Sequence, residues 1–511
     1  MSETASSEVP GGDLEALAKG GQTNFIGFLL RLVARMPFLF IAGRLYGAAA
    51  LGRFASALVV VELTAMLCTI GEKRGLAQRL SDNDGDPVHL VADSMTLALI
   101  AGVVAAGALW LVPLPMFPSG IYTELDRLIV LAIPALALTE IMLAAQAYRY
   151  DIGATVRARA VVEPWTISIM VALLFFVVPA SGLSLAYLIS IYAAAATAAW
   201  PFFRSYGRAI GWKPSPKRMW KLLVQGLPLA AADAIEWGTR RLDIFILGLF
   251  AAPTAVGVYF IAQQVASLPQ KLKTSFEPIL GPVLTRKLKE HDYAAIARQV
   301  CQVGFWITAA QAGIGLALGI PGVAIMGLVG PHFVGGTGAL GFLLAAEVVA
   351  ATAVVSEAAL VYVARLRNLS VSAATIGLQA LLTIGAMLIA EKLGLSEGWR
   401  AACAAAALML SLAFSSLVKA VMLSRILHHP VNNWRWPLVW AAAAAVVVGQ
   451  GVIRLPEWAQ LVLGIPLIMA VYGWVIWTRG FGPEDRVLFA RKVKQEAKIA
   501  PDPSTLDTPT R

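Results

Sequence analysis

His89-Leu-Val-Ala-Asp-Ser-Met-Thr-Leu-Ala-Leu-Ile-Ala-Gly-Val-Val-Ala-Ala-Gly-Ala-Leu-Trp-Leu-Val112 holds a single carboxylate, Asp93, close to one end. As a helix this stretch rises about 36 Å, enough to cross the roughly 30 Å hydrocarbon layer of a bilayer. It is apolar on every face, which suits lipid rather than water. Working outward, the same kind of run recurs along almost the whole chain. The spans read as 25–43, 50–70, 89–112, 126–148, 160–180, 183–203, 222–240, 244–268, 300–329, 338–362, 369–390, 399–423, 436–453 and 458–478. The composition agrees: 58% hydrophobic and 14% charged residues, against about a quarter charged in soluble proteins. The expected fold is an all-α polytopic membrane protein with about fourteen transmembrane helices and no large soluble domain.

The net charge of +10 does not call for nucleic acid, because lysine and arginine gather in the cytoplasmic loops of membrane proteins. With the N-terminus in the cytoplasm, alternate loops collect the basic residues. These include Lys73, Arg74 and Arg79; Arg149, Arg157 and Arg159; Arg204 to Lys221; Lys271 to Arg298; Arg365 and Arg367; Lys419 to Arg435; and the tail from Arg479. The outer segments keep Arg44, Arg53, Arg240, Arg241, Lys392, Arg400 and Arg454. An odd number of spans would break this alternation, so both termini are expected in the cytoplasm, with the chain in a bacterial inner membrane. No cleavable signal peptide is evident, and the first apolar run is expected to act as an uncleaved anchor. Cys68, Cys301 and Cys403 have neither disulfide nor metal spacing, and the five histidines form no zinc pattern.

An internal repeat organises the spans. Shifting the chain by 205 residues lays Gly21–Glu72 on Gly226–Glu277 without a gap. Identical pairs include Arg35/Arg240, Glu72/Glu277, Gly43/Gly248, Gly52/Gly257 and Gly21/Gly226. Parallel repeats of this kind imply two lobes of the same orientation. The expected layout is a cytoplasmic segment 1–24, an N-lobe 25–203, a basic linker 204–221, a C-lobe 222–425, two extra helices in 436–478, and a cytoplasmic tail 479–511. The Pro/Asp/Thr-rich end of that tail reads as disordered.

Charge inside a membrane is costly and usually faces protein or a watery cavity. Arg31 and Arg35 share one face of span 1; Asp233, Glu236, Arg240 and Asp243 share one face of span 7. Two polar stripes at equivalent positions are what a shared central cavity needs. Glu236 and Arg240, four apart, also suit a simple intrahelical ion pair, and Arg31 and Arg35 could snorkel to headgroups. Glu62 and Glu357 are the best of the other intramembrane acids, ahead of Asp93, Glu140, Glu163 and Glu347. No soluble catalytic motif is present, and no enzyme activity is expected.

The run Ile41-Ala-Gly-Arg-Leu-Tyr-Gly-Ala-Ala-Ala-Leu-Gly-Arg-Phe54 resembles the first helical hairpin of Wzx-type polysaccharide flippases. So does Arg241-Leu-Asp-Ile-Phe-Ile-Leu-Gly-Leu-Phe-Ala-Ala-Pro-Thr-Ala-Val-Gly-Val-Tyr259 at the start of the second half, and Ile325-Met-Gly-Leu-Val-Gly-Pro-His-Phe333 is similar to the segment after that family's ninth helix. These flippases belong to the multidrug/oligosaccharidyl-lipid/polysaccharide exporter superfamily. The resemblance implies two six-helix lobes around a central cavity, plus two C-terminal helices. It also implies alternating access and export of an undecaprenyl-pyrophosphate-linked oligosaccharide for surface polysaccharide, O-antigen or exopolysaccharide. The substrate-binding residues expected in that cavity are Arg31, Arg35, Asp233, Glu236, Arg240, Glu62 and Glu357. No cofactor is expected beyond a coupling Na⁺ or H⁺; the partners are the lipid-linked glycan, the bilayer and other polysaccharide assembly proteins. Multidrug efflux is the sister reading, but a pump for cationic drugs favours acidic lining over arginine. A sugar polymerase or ligase is disfavoured by the short outer loops, and a pure scaffold leaves the intramembrane charges unexplained.

Overall fold

The computed structural model describes residues 36–82, 86–270, 287, 288, 290–482 and 485. Arg31 and Arg35 therefore lie outside the described residues. All secondary structure among the described residues is helical. Helix α1 (36–46) ends in a π turn, Ala42–Tyr46, and α2 is Gly47–Cys68. A short amphipathic α3 (Glu72–Ser81) precedes α4 (Pro87–Leu111), α5 (Asp126–Tyr148), α6 (Ile152–Val177) and α7 (Gly182–Tyr206). The second half opens with α8 (Pro216–Phe250) and α9 (Pro253–Gln270), followed by α10 (Tyr293–Gly319), short α11 (Gly322–Val329), α12 (Thr337–Val363), α13 (Arg365–Lys392) and α14 (Glu397–Leu427). Two more, α15 (Trp436–Val452) and α16 (Glu457–Gly480), close the series; among the described residues ten helices are long and apolar enough to cross a membrane, which makes this a multi-pass membrane protein, with the short α3 and α11 beside the long helices.

The two halves pack by the same rule. In the first, α2 packs on α5, α4 on α5, α5 on α7 and α6 on α7; in the second, α9 packs on α12, α10 on α12, α12 on α14 and α13 on α14. Each contact in one half thus has its counterpart, in order, in the other. Helices α15 and α16 stand outside this scheme, pressed on α10 through Phe305, Ala309, Leu438, Ala441, Ile468 and Tyr472. Large apolar side chains such as Val104, Phe176, Leu381, Trp440 and Trp474 point outward. In water that surface would be a liability; in a bilayer it is the solvated face.

The halves meet where α2 crosses α9, and two glycines set the distance. A Cβ on Gly52 would lie 1.6 Å from the Pro253 carbonyl oxygen, and one on Gly257 would lie 1.9 Å from that of Ala48. Gly52 and Gly257 are repeat equivalents, as are Ala48 and Pro253, so the crossing sits on the pseudo-two-fold axis. A second close approach lies at the other end of α2, where the turn after it meets α8. There Gly71, in left-handed conformation at φ 70°, fits its turn against Leu229, and Gly226 admits the Ile70 carbonyl. The ends of the helices that carry Arg74, Arg149, Arg204, Arg365 and Arg425 are called the basic end below.

Several sequence boundaries need correction. Span 7 does not stop at 240: α8 runs on to Phe250, and the hairpin turn falls at Ala251 and Ala252. Arg240, Arg241 and Asp243 therefore lie inside a helix rather than in an outer turn, since each has a neighbour that offsets its charge or satisfies its polar atoms. The basic linker 204–221 is partly built into the helices. Helix α8 already starts at Pro216, and the connection is pinned to α4, because buried Asp93 accepts from Trp212 Nε1 at 2.9 Å and Arg218 Nε at 2.7 Å. Span 9 divides at Ile320 and Pro321 into α10 and α11. At the far end, Asp485 accepts from Arg435 at 2.6 Å and Trp306 Nε1 at 2.9 Å. Burial pushes the Asp485 carboxyl up, but Arg435, the Gly482 N–H and Trp306 together hold it below the usual range.

Candidate functional site

A cavity of about 670 Å³ lies among α8, α9, α12, α13 and α14, and Arg74 reaches it from α3. Its depth follows from helix geometry. Arg365 and Asn368 open α13 at the basic end. Arg240 and Arg241 stand about ten residues short of the end of α8, or about 15 Å from it. Gln263 and Glu347 lie as far along α9 and α12. The cavity thus runs from the basic end to about mid-membrane and stops short of the Gly52–Gly257 crossing. The side chains of Glu236 and Glu357 are 50% and 45% exposed. Carboxyl groups that stay half exposed within membrane-spanning helices mark a watery interior rather than a dry core.

Among the described residues five basic side chains line it, Arg74, Arg240, Arg241, Arg365 and Lys419, against three acidic ones, Glu236, Glu347 and Glu357. Arg74 pairs across the two halves with Asp233 at 2.8 Å and also with Glu236. Glu236 further accepts from Arg240 at 3.1 Å, the intrahelical pair that their spacing suggests. Lys419, only 5% exposed, is held by Glu357 at 2.9 Å and Ser372 at 3.0 Å. Arg241 donates to a neutral acceptor, Gln263 Oε1, at 2.8 Å.

Of the residues singled out from sequence, Glu236, Arg240, Glu347 and Glu357 line this cavity. Asp233 lies behind the wall, 4% exposed, and meets it through Arg74. Asp243 faces away, fully buried, and accepts from Tyr259 Oη at 2.5 Å. Glu62 lines a separate recess of about 50 Å³ with Glu163, Tyr187, Phe260, Arg241 and Gln264. Beyond it in the first half, Arg159 is clamped between Glu140 at 2.5 Å and Glu163 at 2.7 Å. By sequence alone Arg74, Arg365 and Lys419 read as loop charges, and Arg241 as an outer one. A signal existed for Lys419: Ser411, Ser415 and Lys419 recur every four residues on one face of an otherwise apolar run.

Removing Arg74 should be felt far beyond a surface pair. Its own side chain is half exposed, but its partner Asp233 is buried and would be left unpaired. Arg74→Ala should lower stability by about 1–3 kcal/mol, discounted from a fully buried pair for solvent screening. Adding Asp233→Asn should recover most of the loss. Thermal unfolding of the purified single and double variants measures it; additive losses in the double variant would show that the pair carries no coupling.

Residues 41–309 match the family described as polysaccharide biosynthesis protein. No curated protein matches the sequence. Among solved structures, an inward-facing multidrug resistance MATE family transporter of the MOP superfamily aligns at TM-score 0.63 and 15% identity, covering 78% of this chain and 98% of its own. The lipid II flippase MurJ, in an inward closed conformation, aligns at TM-score 0.65 and 11% identity, covering 90% and 99%. A MOP superfamily transporter from Pyrococcus furiosus aligns at TM-score 0.57 and 13% identity, covering 81% and 95%. At these identities the likeness concerns the fold, and it extends over nearly the whole of each relative.

Proposed function

This chain belongs to the polysaccharide biosynthesis protein family, and we propose that it moves a polyprenyl-pyrophosphate-linked oligosaccharide across the bacterial inner membrane by alternating access. The observation that carries this reading is a solvated cavity that reaches mid-membrane and, among the described residues, is lined by more basic than acidic side chains. A pyrophosphate is the part of such a substrate that the bilayer core rejects most strongly. Arginine suits it, since a planar guanidinium gives charge-assisted, often bidentate bonds to phosphate oxygens. Arg31, Arg35 and Arg240 are the proposed phosphate ligands, and the sugars would take the polar wall around Gln264, Ser267 and Asn368.

Sidedness supports the direction. The basic end is the cytoplasmic one by the distribution of lysine and arginine, so the cavity faces the cytoplasm. The glycine crossing then closes the periplasmic side. Glu236, Glu347 and Glu357 suit coupling to Na⁺ or H⁺, because a carboxylate in a cavity can trade its basic partner for a cation. Efflux of cationic drugs is the weaker reading, since the basic lining repels that cargo. The product would pass to other polysaccharide assembly proteins on the far side. Deletion of the gene, followed by mass analysis of lipid extracts, tests the proposal. A polyprenyl-pyrophosphate-linked glycan should accumulate, and surface polysaccharide should fall. Unchanged lipid-linked glycan together with normal surface polysaccharide would overturn it.

A further inference from the structure

Two arginines stand side by side at mid-membrane, and the structure treats them differently. Arg240 shares the Glu236 carboxylate with Arg74. Its charge is already partly spent, and an incoming anion would have to compete for it. Arg241 has no carboxylate within ion-pairing distance among the described residues; it donates to the neutral Gln263 Oε1 at 2.8 Å. Gln263 is itself fixed from behind. Its Nε2 donates to Asp243 Oδ2 at 3.1 Å and to the Arg240 carbonyl at 3.2 Å, and Asp243 accepts from buried Tyr259. The chain Tyr259–Asp243–Gln263–Arg241 therefore aims one guanidinium at the cavity. It uses the acid at one remove, where that acid orients the amide without binding the arginine.

Position adds a second, independent observation. Arg241 and Gln264 line both the main cavity and the smaller recess toward α2 and α6, where Glu62 and Glu163 stand. Among the described residues, Arg241 is thus the basic side chain that faces both spaces. Like the neighbouring Arg240, it lines the main cavity about 15 Å from the end of α8.

Resting on the reading of the substrate as a polyprenyl pyrophosphate, we infer that Arg241 is the principal phosphate-binding residue of the described cavity wall, and that Gln263 is the positioning residue that holds it while leaving its charge available. Neutral anchoring is the essential point. A glutamate at 263 would have almost the same shape but would lose the N–H donor that Asp243 and the Arg240 carbonyl accept, so its charge, repelled by Asp243, would turn to Arg241 and neutralise it. A methionine there would remove the anchor without adding charge.

The test uses full-length protein in lipid nanodiscs and two probes, farnesyl pyrophosphate and uncharged farnesol, with affinity measured by titration. The expected result is that the wild type binds the pyrophosphate more tightly than the alcohol. Arg241→Gln and Gln263→Glu should each weaken pyrophosphate binding about tenfold or more, the scale of one charge-assisted interaction, with farnesol binding unchanged. Gln263→Met should lose only a few-fold, since the charge survives. A residue needed only for folding would lower both probes together and would not separate Glu from Met. If the wild type shows no preference for the pyrophosphate, the substrate reading itself falls. If the preference exists but Arg241→Gln keeps it, or if Gln263→Glu and Gln263→Met behave alike, the assignment to Arg241 and Gln263 falls and the substrate reading stands.

Discussion

Valine in place of Gly52 abolishes transport: that is the expected result, with alanine already severe. The reason lies in what the missing side chain would meet. A Cβ at Gly52 would overlap the Pro253 carbonyl oxygen at 1.6 Å and lie 2.6 Å from its carbon and 2.9 Å from Gly257 N. All three are backbone atoms of α9, so no side-chain rotation can make room. The helices must part, at a cost at or above the roughly 3 kcal/mol upper range of ordinary overpacking. Because the crossing lies on the pseudo-two-fold axis, Gly257→Val should act as Gly52→Val does, through Ala48. Under alternating access, a wedge here should favour the state in which this end is open. Export of labelled glycan, and labelling of a cysteine introduced beside the crossing, give two readouts. The graded Gly52→Ala variant guards against simple misfolding: partial export with raised labelling fits the wedge. Wild-type export and labelling in the valine variant would show that α2 and α9 never need to meet at Gly52.

The second large effect concerns span 1. Replacing both Arg31 and Arg35 by alanine should abolish glycan export while the protein remains inserted and expressed. They share one face of an apolar run, and the repeat sets Arg31 opposite Glu236 and Arg35 opposite Arg240. Glu236 and Arg240 both line the cavity in the second half, so the equivalent face of span 1 is the one to expect there. An arginine at such depth is costly unless water or an anion meets it. Lysine should restore export only in part, since it keeps the charge and loses the fork. Quantifying surface polysaccharide beside membrane-inserted protein decides the matter; full export by the double alanine variant would remove both arginines from the mechanism.

Gly52 and Gly257 show how far sequence reading can go. Their identity across the shift of 205 residues was visible as a coincidence of small residues. That they touch was not, because a glycine reports only that something comes close, never what. The break between α8 and α9 shows the opposite failure. Three charges within four residues, Arg240, Arg241 and Asp243, look like the end of a span when hydropathy is the only guide. In the folded protein Asp243 is satisfied by Tyr259 and Gln263, and Arg240 by Glu236. The helix can therefore carry them through mid-membrane.

The chain by itself determined the class of fold, the order of the helices and their division into two like halves, because lipid imposes length and hydrophobicity residue by residue and a repeat leaves its mark in register. Which charges are spent and which remain available was decided only by tertiary structure. Arg74 and Lys419 read as loop charges until the fold brought each to an acid far away in sequence, Asp233 and Glu357. Arg241 read as one more outer-loop residue until the fold set it against Gln263. Ion pairing falls off within a few ångströms, and distances on that scale between residues far apart in the chain exist only once the helices have packed.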